Sequence, residues 1–421
     1  MTTYSGPALS SQLLRRLADG RDETDRLFAI VKPDRLYDRP IAERHRIVFY
    51  FGHLEAFDWN LLRGILNIDP FRPEFDHLFA FGIDPVDGGL PTDQPSEWPS
   101  MNEIEGYRKR VRQELDNALA DAVESEELVQ AMNIAIEHRL MHAETLEYMF
   151  HQLPFDAKVR PDFPRPKFFI APPSEAMPEM IRIPEGTSTL GLKRESSQFG
   201  WDNEFESNSV TVPAFSIDRY KVTNGDYMRF VEAGGYTKCE LWTPADWAWI
   251  SEAGISQPVF WIKMGDGFRY RAMFEDIPLA LDAPVYVSHA EASAYARWVG
   301  KSLPSEAEWQ RASEGSLPPK ETRKLWDPPA VGSSPKLRST HGVEDLVGTG
   351  WEWTSSTFAP FPGFQIFPAY AGYSANFFDG KHFVMKGGST RTAACMLRTS
   401  FRNWFQAHYQ FVYAGFRCVA H

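Results

Sequence analysis

Positive charge, cysteine and long apolar runs are all in short supply in this 421-residue chain. Against 56 Asp and Glu stand 44 Lys and Arg, a net charge of −12. A chain so acidic lacks the clustered cations that hold phosphate backbones, which excludes nucleic acid as a general partner. Three cysteines, Cys239, Cys395 and Cys418, are too few and too scattered for a disulfide framework or a zinc ribbon. No apolar stretch reaches transmembrane length, and the opening "MTTYSGPALSSQLLRRLADG" has no apolar run of the signal-peptide kind. The expectation is a cytoplasmic protein with no membrane partner. Histidine is scarce as well, with 11 in the chain, so each one's position carries information.

What is abundant is helix-forming sequence in the first third and aromatic residues throughout. The length calls for two or three domains. Four amphipathic runs lie within residues 1–155: "SSQLLRRLADGRDETDRLFAIV", "IAERHRIVFYFGHLEAFDWNLLRGIL", "SMNEIEGYRKRVRQELDNALADA" and "SEELVQAMNIAIEHRLMHAETLEYMFHQL". Their apolar spacing predicts a four-helix bundle. Eight prolines between positions 154 and 184 then suppress regular structure, and residues 156–178 read as an extended linker. From 179 to 421 the chain turns to Gly, Trp and short β-like runs such as "SVTVPAFSIDRY" and "HFVMKGG". One clear helix, "SHAEASAYARWVG", and a shorter one from "PSEAEWQRA" complete an α+β domain rich in loop.

His138 and His142 in "EHRLMHAETLEYMF" stand one turn apart on one helix face. They read either as metal ligands or as polar residues on a solvated face. His53, in the second helical run, is the natural third nitrogen, because bundle helices send ligands into a shared core. Glu144 falls about 200° round the helix from His142, which suits supporting a ligand from behind or pairing with another helix better than ligation. His45 is peripheral, and His151 sits near a helix end where a cation suits the dipole. In the second half Trp351, Trp353, Phe401, Trp404 and Phe405 are candidate pocket walls, with Arg402 and Asn403 as polar handles. The alternative is that these rings pack a loop-rich core.

The run "HRLMHAE" resembles the H-x3-H-x-E iron motif of the DinB-type helical domain in the sulfoxide synthases of the ergothioneine pathway. "FGHLEAFDWNLL" resembles the segment that bears the family's third histidine. "FSIDRYKVTNGDYMRFVEAGGY", "LPSEAEWQRA", "WEWTSS", "KGGSTRT", "SFRNWF" and "YAGFRCV" resemble its formylglycine-generating-enzyme-like domain, a C-type-lectin-like fold. The resemblance implies a nonhaem Fe(II) on His53, His138 and His142. It also implies O2-dependent bonding of a chalcogen to C2 of the imidazole of hercynine, the Nα-trimethylated histidine. A trimethylammonium group donates no hydrogen bonds, so aromatic faces and carboxylates must hold it. Candidate substrate residues are Asn403, Trp404, Phe405, Arg402 and Trp353, and Tyr370 and Tyr373 are candidate proton donors. A formylglycine-generating enzyme proper fits less well, since its copper needs a cysteine pair and Cys395 and Cys418 lie in different motifs.

Two departures bear on the second substrate. Family members that use γ-glutamylcysteine or cysteine tend to carry Arg in the loop before the third helix. Here "FGIDPVDGGLPTDQPSEWPSMNE" has none, and offers Asp84, Asp87, Asp93, Glu97 and Trp98. Phe405 follows "RNW", where mycobacterial members carry Asp. Both favour a neutral donor, a pattern similar to the selenoneine synthase branch, with a selenosugar whose hydroxyls Asp93 and Trp98 would meet. Sulfoxide formation with a thiol is the alternative.

Overall fold

The computed structural model describes residues 9–83, 90–161, 179–320, 325–333 and 337–421. It comprises two compact units, Met1–Phe163 and Pro164–His421. Most of the expected linker, and the loop residues Asp84 and Asp87, lie outside the described residues. Among those described, no helix is long and apolar enough to cross a membrane.

The first unit is the expected helical bundle with one helix added. Helices α1 (Ser11–Phe28), α2 (Ile47–Leu62), α4 (Met101–Ala120) and α5 (Glu126–Gln152) are the four long ones, and the short α3 (Pro73–Phe81) is the addition. Caps set their starts. The Ser100 backbone N–H donates to Glu103 Oε2 at 3.0 Å, and the Ser125 hydroxyl accepts from the Leu128 N–H at 3.1 Å, so helix donors that would otherwise be orphaned are satisfied. Thirteen of the sixteen residues of α2 are buried, which makes it the central helix, packed against α3, α4 and α5. It begins at Ile47 and not at Ile41 as its sequence pattern suggested. Arg46 is extended, and its guanidinium is spent on the Tyr37 carbonyl at 2.8 Å and on Asp93 at 2.9 Å.

The second unit is sheet-rich and mixed. Strands β1 (Met180–Ile183), β4 (Phe215–Asp218) and β12 (Val419–Ala420) form one sheet, while β2 (Gly186–Leu190) and β3 (Asn208–Val212) pair in another. Strands β5 (Trp261–Met264), β6 (Gly267–Arg271) and β7 (Asp276–Pro278) make a third. The fourth runs β10 (Asn403–Gln406), β9 (His382–Lys386), β8 (Trp351–Thr357) and β11 (Ala414–Gly415). The two expected helices are present, α8 (His289–Trp298) and α9 (Glu306–Ala312), and α6 (Asn224–Glu232) and α7 (Pro244–Ala253) join them.

With so little regular structure, buried charge does part of the holding. Arg417 grips Glu352 through two hydrogen bonds of 2.8 Å, and Lys221 Nζ lies 2.9 Å from the same carboxylate. Burial alone would raise Glu352, but Arg417 and Lys221 outweigh it and hold the carboxyl below its ordinary range.

Candidate metal centre

His53 on α2 and His138 and His142 on α5 converge in the first unit. Their ring centroids are 5.2 Å (His53–His138), 4.9 Å (His53–His142) and 4.5 Å (His138–His142) apart. One nitrogen from each lies within 4.8 Å of the other two, a spacing that a single ion can bridge. Among the described residues these three are the group of His, Cys, Asp and Glu side chains that meets this condition.

Burial decides their charge. It is the largest influence on His53, and it brings the ring down to about 4 against the pull of the Phe79 carbonyl. Burial, then the neighbouring imidazoles and Arg139, push His138 well below the ordinary histidine range, and burial, His53 and Arg44 do the same to His142. Three neutral imidazoles are what a metal requires of its ligands.

Tautomers are fixed as well. His53 Nδ1 stands 2.6 Å from the Phe79 carbonyl oxygen, and a carbonyl only accepts. Nδ1 therefore carries the proton, and Nε2 keeps its lone pair for the centre. The Nδ1 of His142 is buried with no hydrogen-bond partner among the described residues, a cost that coordination would relieve. Phe57 stacks on His138 at 3.4 Å and Phe49 on His53 at 4.8 Å. The donor set and the orphaned nitrogen fit a divalent ion of the iron or zinc kind.

What holds α2 to α5 lies next to the ligands in sequence. Arg139, fully buried, donates to Asp58 Oδ2 at 2.6 Å, to Glu55 Oε2 at 2.9 Å and to the Leu54 carbonyl at 2.9 Å. Arg112 on α4 reaches Glu55 at 2.6 Å. Burial would raise Glu55, but Arg139, Arg112 and Arg108 outweigh it and hold it well below the carboxylate range. Asp76 on α3 accepts from Tyr107 at 2.7 Å and Trp59 Nε1 at 3.1 Å, which anchors the helix whose Phe79 carbonyl orients His53. Gly52 permits that approach, because a Cβ there would meet Phe79 ring atoms at 2.4 Å. Sequence patterns pointed to neither Gly52 nor Asp76; the one available signal was a glycine inside an apolar helical run.

Glu144 is buried but is not among the three converging side chains. His151, expected as a helix-end cation, is fully buried in the last turn of α5. Asp93 and Trp98, expected to meet a sugar, are committed elsewhere. The Asp93 side chain has no exposure and pairs with Arg39 and Arg46, while Trp98 Nε1 donates to it at 2.7 Å. Burial would raise Asp93, yet these three partners hold it low. A loop without arginine is thus served by two arginines from an earlier segment, and Asp93 offers no unneutralised charge to repel an anion.

In the second unit Trp404, Tyr373 and Tyr370 come together. Tyr373 lies 5.3 Å from Trp404 and 5.7 Å from Tyr370, and it stacks on Trp201 at 3.9 Å. Trp404 stacks on Phe358 at 4.2 Å, nearly parallel. Burial raises Tyr370 to about 12. Asn403 Oδ1 accepts from the Trp404 backbone N–H at 2.9 Å, and Phe405 turns to stack on Tyr409 at 4.9 Å. Two expected substrate residues belong to the core instead. Trp353 is fully buried with Nε1 on the Val287 carbonyl at 2.8 Å. Arg402, 2% exposed, donates to Glu306 at 2.8 and 3.0 Å. Trp353 lies within β8, and Arg402 is paired with the first residue of α9.

The fold and site therefore define a helical bundle with a three-histidine metal-type centre, joined to a sheet-rich module. Residues 16–146 match the DinB superfamily, and residues 168–327 and 324–421 match the sulfatase-modifying factor enzyme 1-like domain. The chain belongs to the family of that second domain. It is 38% identical over 250 residues to the "Hercynine oxygenase" of Mycobacterium tuberculosis, covering 54% of this chain and 57% of that one. It is 28% identical to "Ergothioneine biosynthesis protein 1" of Neurospora crassa, covering 92% of this chain and 55% of that one. A third relative is "Inactive C-alpha-formylglycine-generating enzyme 2" of Mus musculus, 30% identical over 44% of this chain and 70% of that one. The chain spans little more than half the length of the first two.

Proposed function

We propose that this protein is a nonhaem iron enzyme that uses O2 to join a sulfur donor, γ-glutamylcysteine or cysteine, to C2 of the imidazole of hercynine, giving a sulfoxide. The observation that carries the reading is the convergence of three histidines, His53 and His138 buried and His142 partly so, supported by the names of the mycobacterial and fungal relatives. His53, His138 and His142 would hold the Fe(II), which supplies O2 activation when bound. Burial keeps all three rings neutral, and the Phe79 carbonyl keeps His53 aimed. Tyr370, raised to about 12, holds its proton at neutral pH and can serve as a donor, with Tyr373 beside it. Trp404 gives an aromatic face for the trimethylammonium group, and Asn403 a polar handle.

A second reading has one observation in its favour: Phe405 presents no charge beside Asn403 and Trp404, which suits a selenosugar and a C–Se bond by way of a selenoxide. The Arg39 and Arg46 pairs with Asp93 weaken its other support. The test gives the Fe(II) protein hercynine and O2 with either a thiol donor or 1-seleno-glucose, and identifies products by mass. The thiol adduct is expected; selenoneine formed preferentially from the selenosugar would replace the first reading with the second. His138→Ala and His142→Ala should each lose iron and hercynine-dependent O2 uptake, and full uptake in either variant would sink both readings.

A further inference from the structure

A second site-like feature lies wholly inside the sheet-rich unit. A cavity of about 710 Å³ is lined by residues of α7, α8, β9 and β10, among them His289, Asp246, His408, Arg297 and Lys381. That volume is in the range of small-molecule sites. His289 is 8% exposed, stacks on Phe383 at 3.7 Å and meets the edge of Trp353 at 5.6 Å. Its ring is therefore held in one orientation. The Thr354 backbone raises its affinity for a proton, as an accepting carbonyl does. Nε2 has no hydrogen-bond partner among the described residues, so the ring nitrogen on that carbonyl is Nδ1. Nδ1 then carries the single proton of a neutral ring, and Nε2 presents a lone pair. A buried acceptor without a donor is costly unless a ligand supplies one.

The charges around it are uneven. Asp246 is already engaged, accepting from the Thr243 hydroxyl at 2.6 Å and paired with His408 Nε2 at 2.8 Å. Lys301 is tied to Asp218 at 2.7 Å. Arg297 and Lys381 are exposed, and no carboxylate among the described residues lies within ion-pair distance of either. In a chain of net charge −12, two unneutralised cations on one cavity mark a place for an anion.

We propose that this cavity binds a small organic anion that also bears a hydroxyl or amine donor, with the anionic group on Arg297 and Lys381 and the donor on His289 Nε2. The site is independent of the metal centre and of the reaction assigned to it. Calorimetric titration of the full chain tests it with four such probes, glucose 6-phosphate, malate, 4-hydroxybenzoate and phosphoserine, and with inorganic phosphate and glucose as single-function controls. At least one probe should bind one to one with Kd below about 1 mM, and the controls about tenfold or more weaker. His289→Phe and the exposed pair Arg297→Gln/Lys381→Gln should each weaken that probe about tenfold. The paired variant alters exposed side chains alone and so keeps the test sound if His289→Phe misfolds. Absence of binding by all four probes, or binding unchanged in the paired variant, overturns the proposal.

Discussion

Replacing Gly52 by alanine tests how the metal-type centre is held. Alanine is the better helix former by about 0.5–1 kcal/mol, so propensity alone predicts a more stable protein. The structure predicts the reverse. An added Cβ would sit 2.4 Å from Phe79 Cδ1 and Cε1, and ordinary carbon contact at about 3.6 Å demands that the ring retreat by roughly 1 Å. Phe79 is fully buried against Phe75 and Tyr107, so α3 must move with it. The 2.6 Å bond from His53 to the Phe79 carbonyl would then open to about 3.6 Å and be lost. Overpacking costs about 1–3 kcal/mol and the lost hydrogen bond about 1 kcal/mol. After the propensity gain, the net is a loss of about 2 kcal/mol, or roughly 4–8 °C in Tm for a unit of this size. Metal affinity should fall about 10–100-fold, as when an outer partner of a ligating histidine is removed. Thermal melts and anaerobic Co(II) titrations measure both. Gly106→Ala is the control, since it lies within α4 with nothing within 4 Å of the added atom, and it should stabilise by about 0.5–1 kcal/mol. If Gly52→Ala also stabilised and bound metal as tightly as the parent, the account of α3 as the orienting element would be refuted.

Two other outcomes follow from buried charge. Glu55→Ala leaves Arg139 short of one carboxylate and should cost about 3–5 kcal/mol, read from urea denaturation of the first unit; a loss under about 1 kcal/mol would mean the cluster matters little. His289, at about 4 in the folded chain and near 6.5 when unfolded, contributes stability that is fully present above pH 6.5. Because the unfolded chain takes up the proton first, that contribution drains away as pH falls toward 4, up to about 3 kcal/mol. His289→Phe should flatten the fall in Tm between pH 6.5 and 4.5, and parallel profiles for the two proteins would contradict this.

Periodicity in the sequence was enough to place α1, α2, α4 and α5 and to put His138 and His142 on one face, because a helix repeats every 3.6 residues whatever surrounds it. Contacts between distant segments were not legible in that way. Asp93 looked available to a sugar because its own loop holds no cation, yet Arg39 and Arg46 lie 54 and 47 residues away in the chain. Trp353 and Arg402 are likewise buried by contacts with distant segments, Trp353 on the Val287 carbonyl and Arg402 on Glu306, which local sequence does not reveal. Helices α6 and α7 escaped notice although α8 and α9 are no longer: α6 carries Gly225 in its first turn, and α7 buries only Asp246 and Ile250, so neither shows a clear apolar stripe.

The cluster of Arg139, Glu55 and Asp58 has a consequence for the life of the protein before it meets a metal ion. These charges tie the two ligand helices together without using the histidines, so the bundle should be able to complete its folding with the centre empty. Chains made while that ion is scarce would wait as intact apoprotein and be recruited when it returns. The ion would be a late passenger in assembly, and its supply would govern how much protein works without governing how much survives.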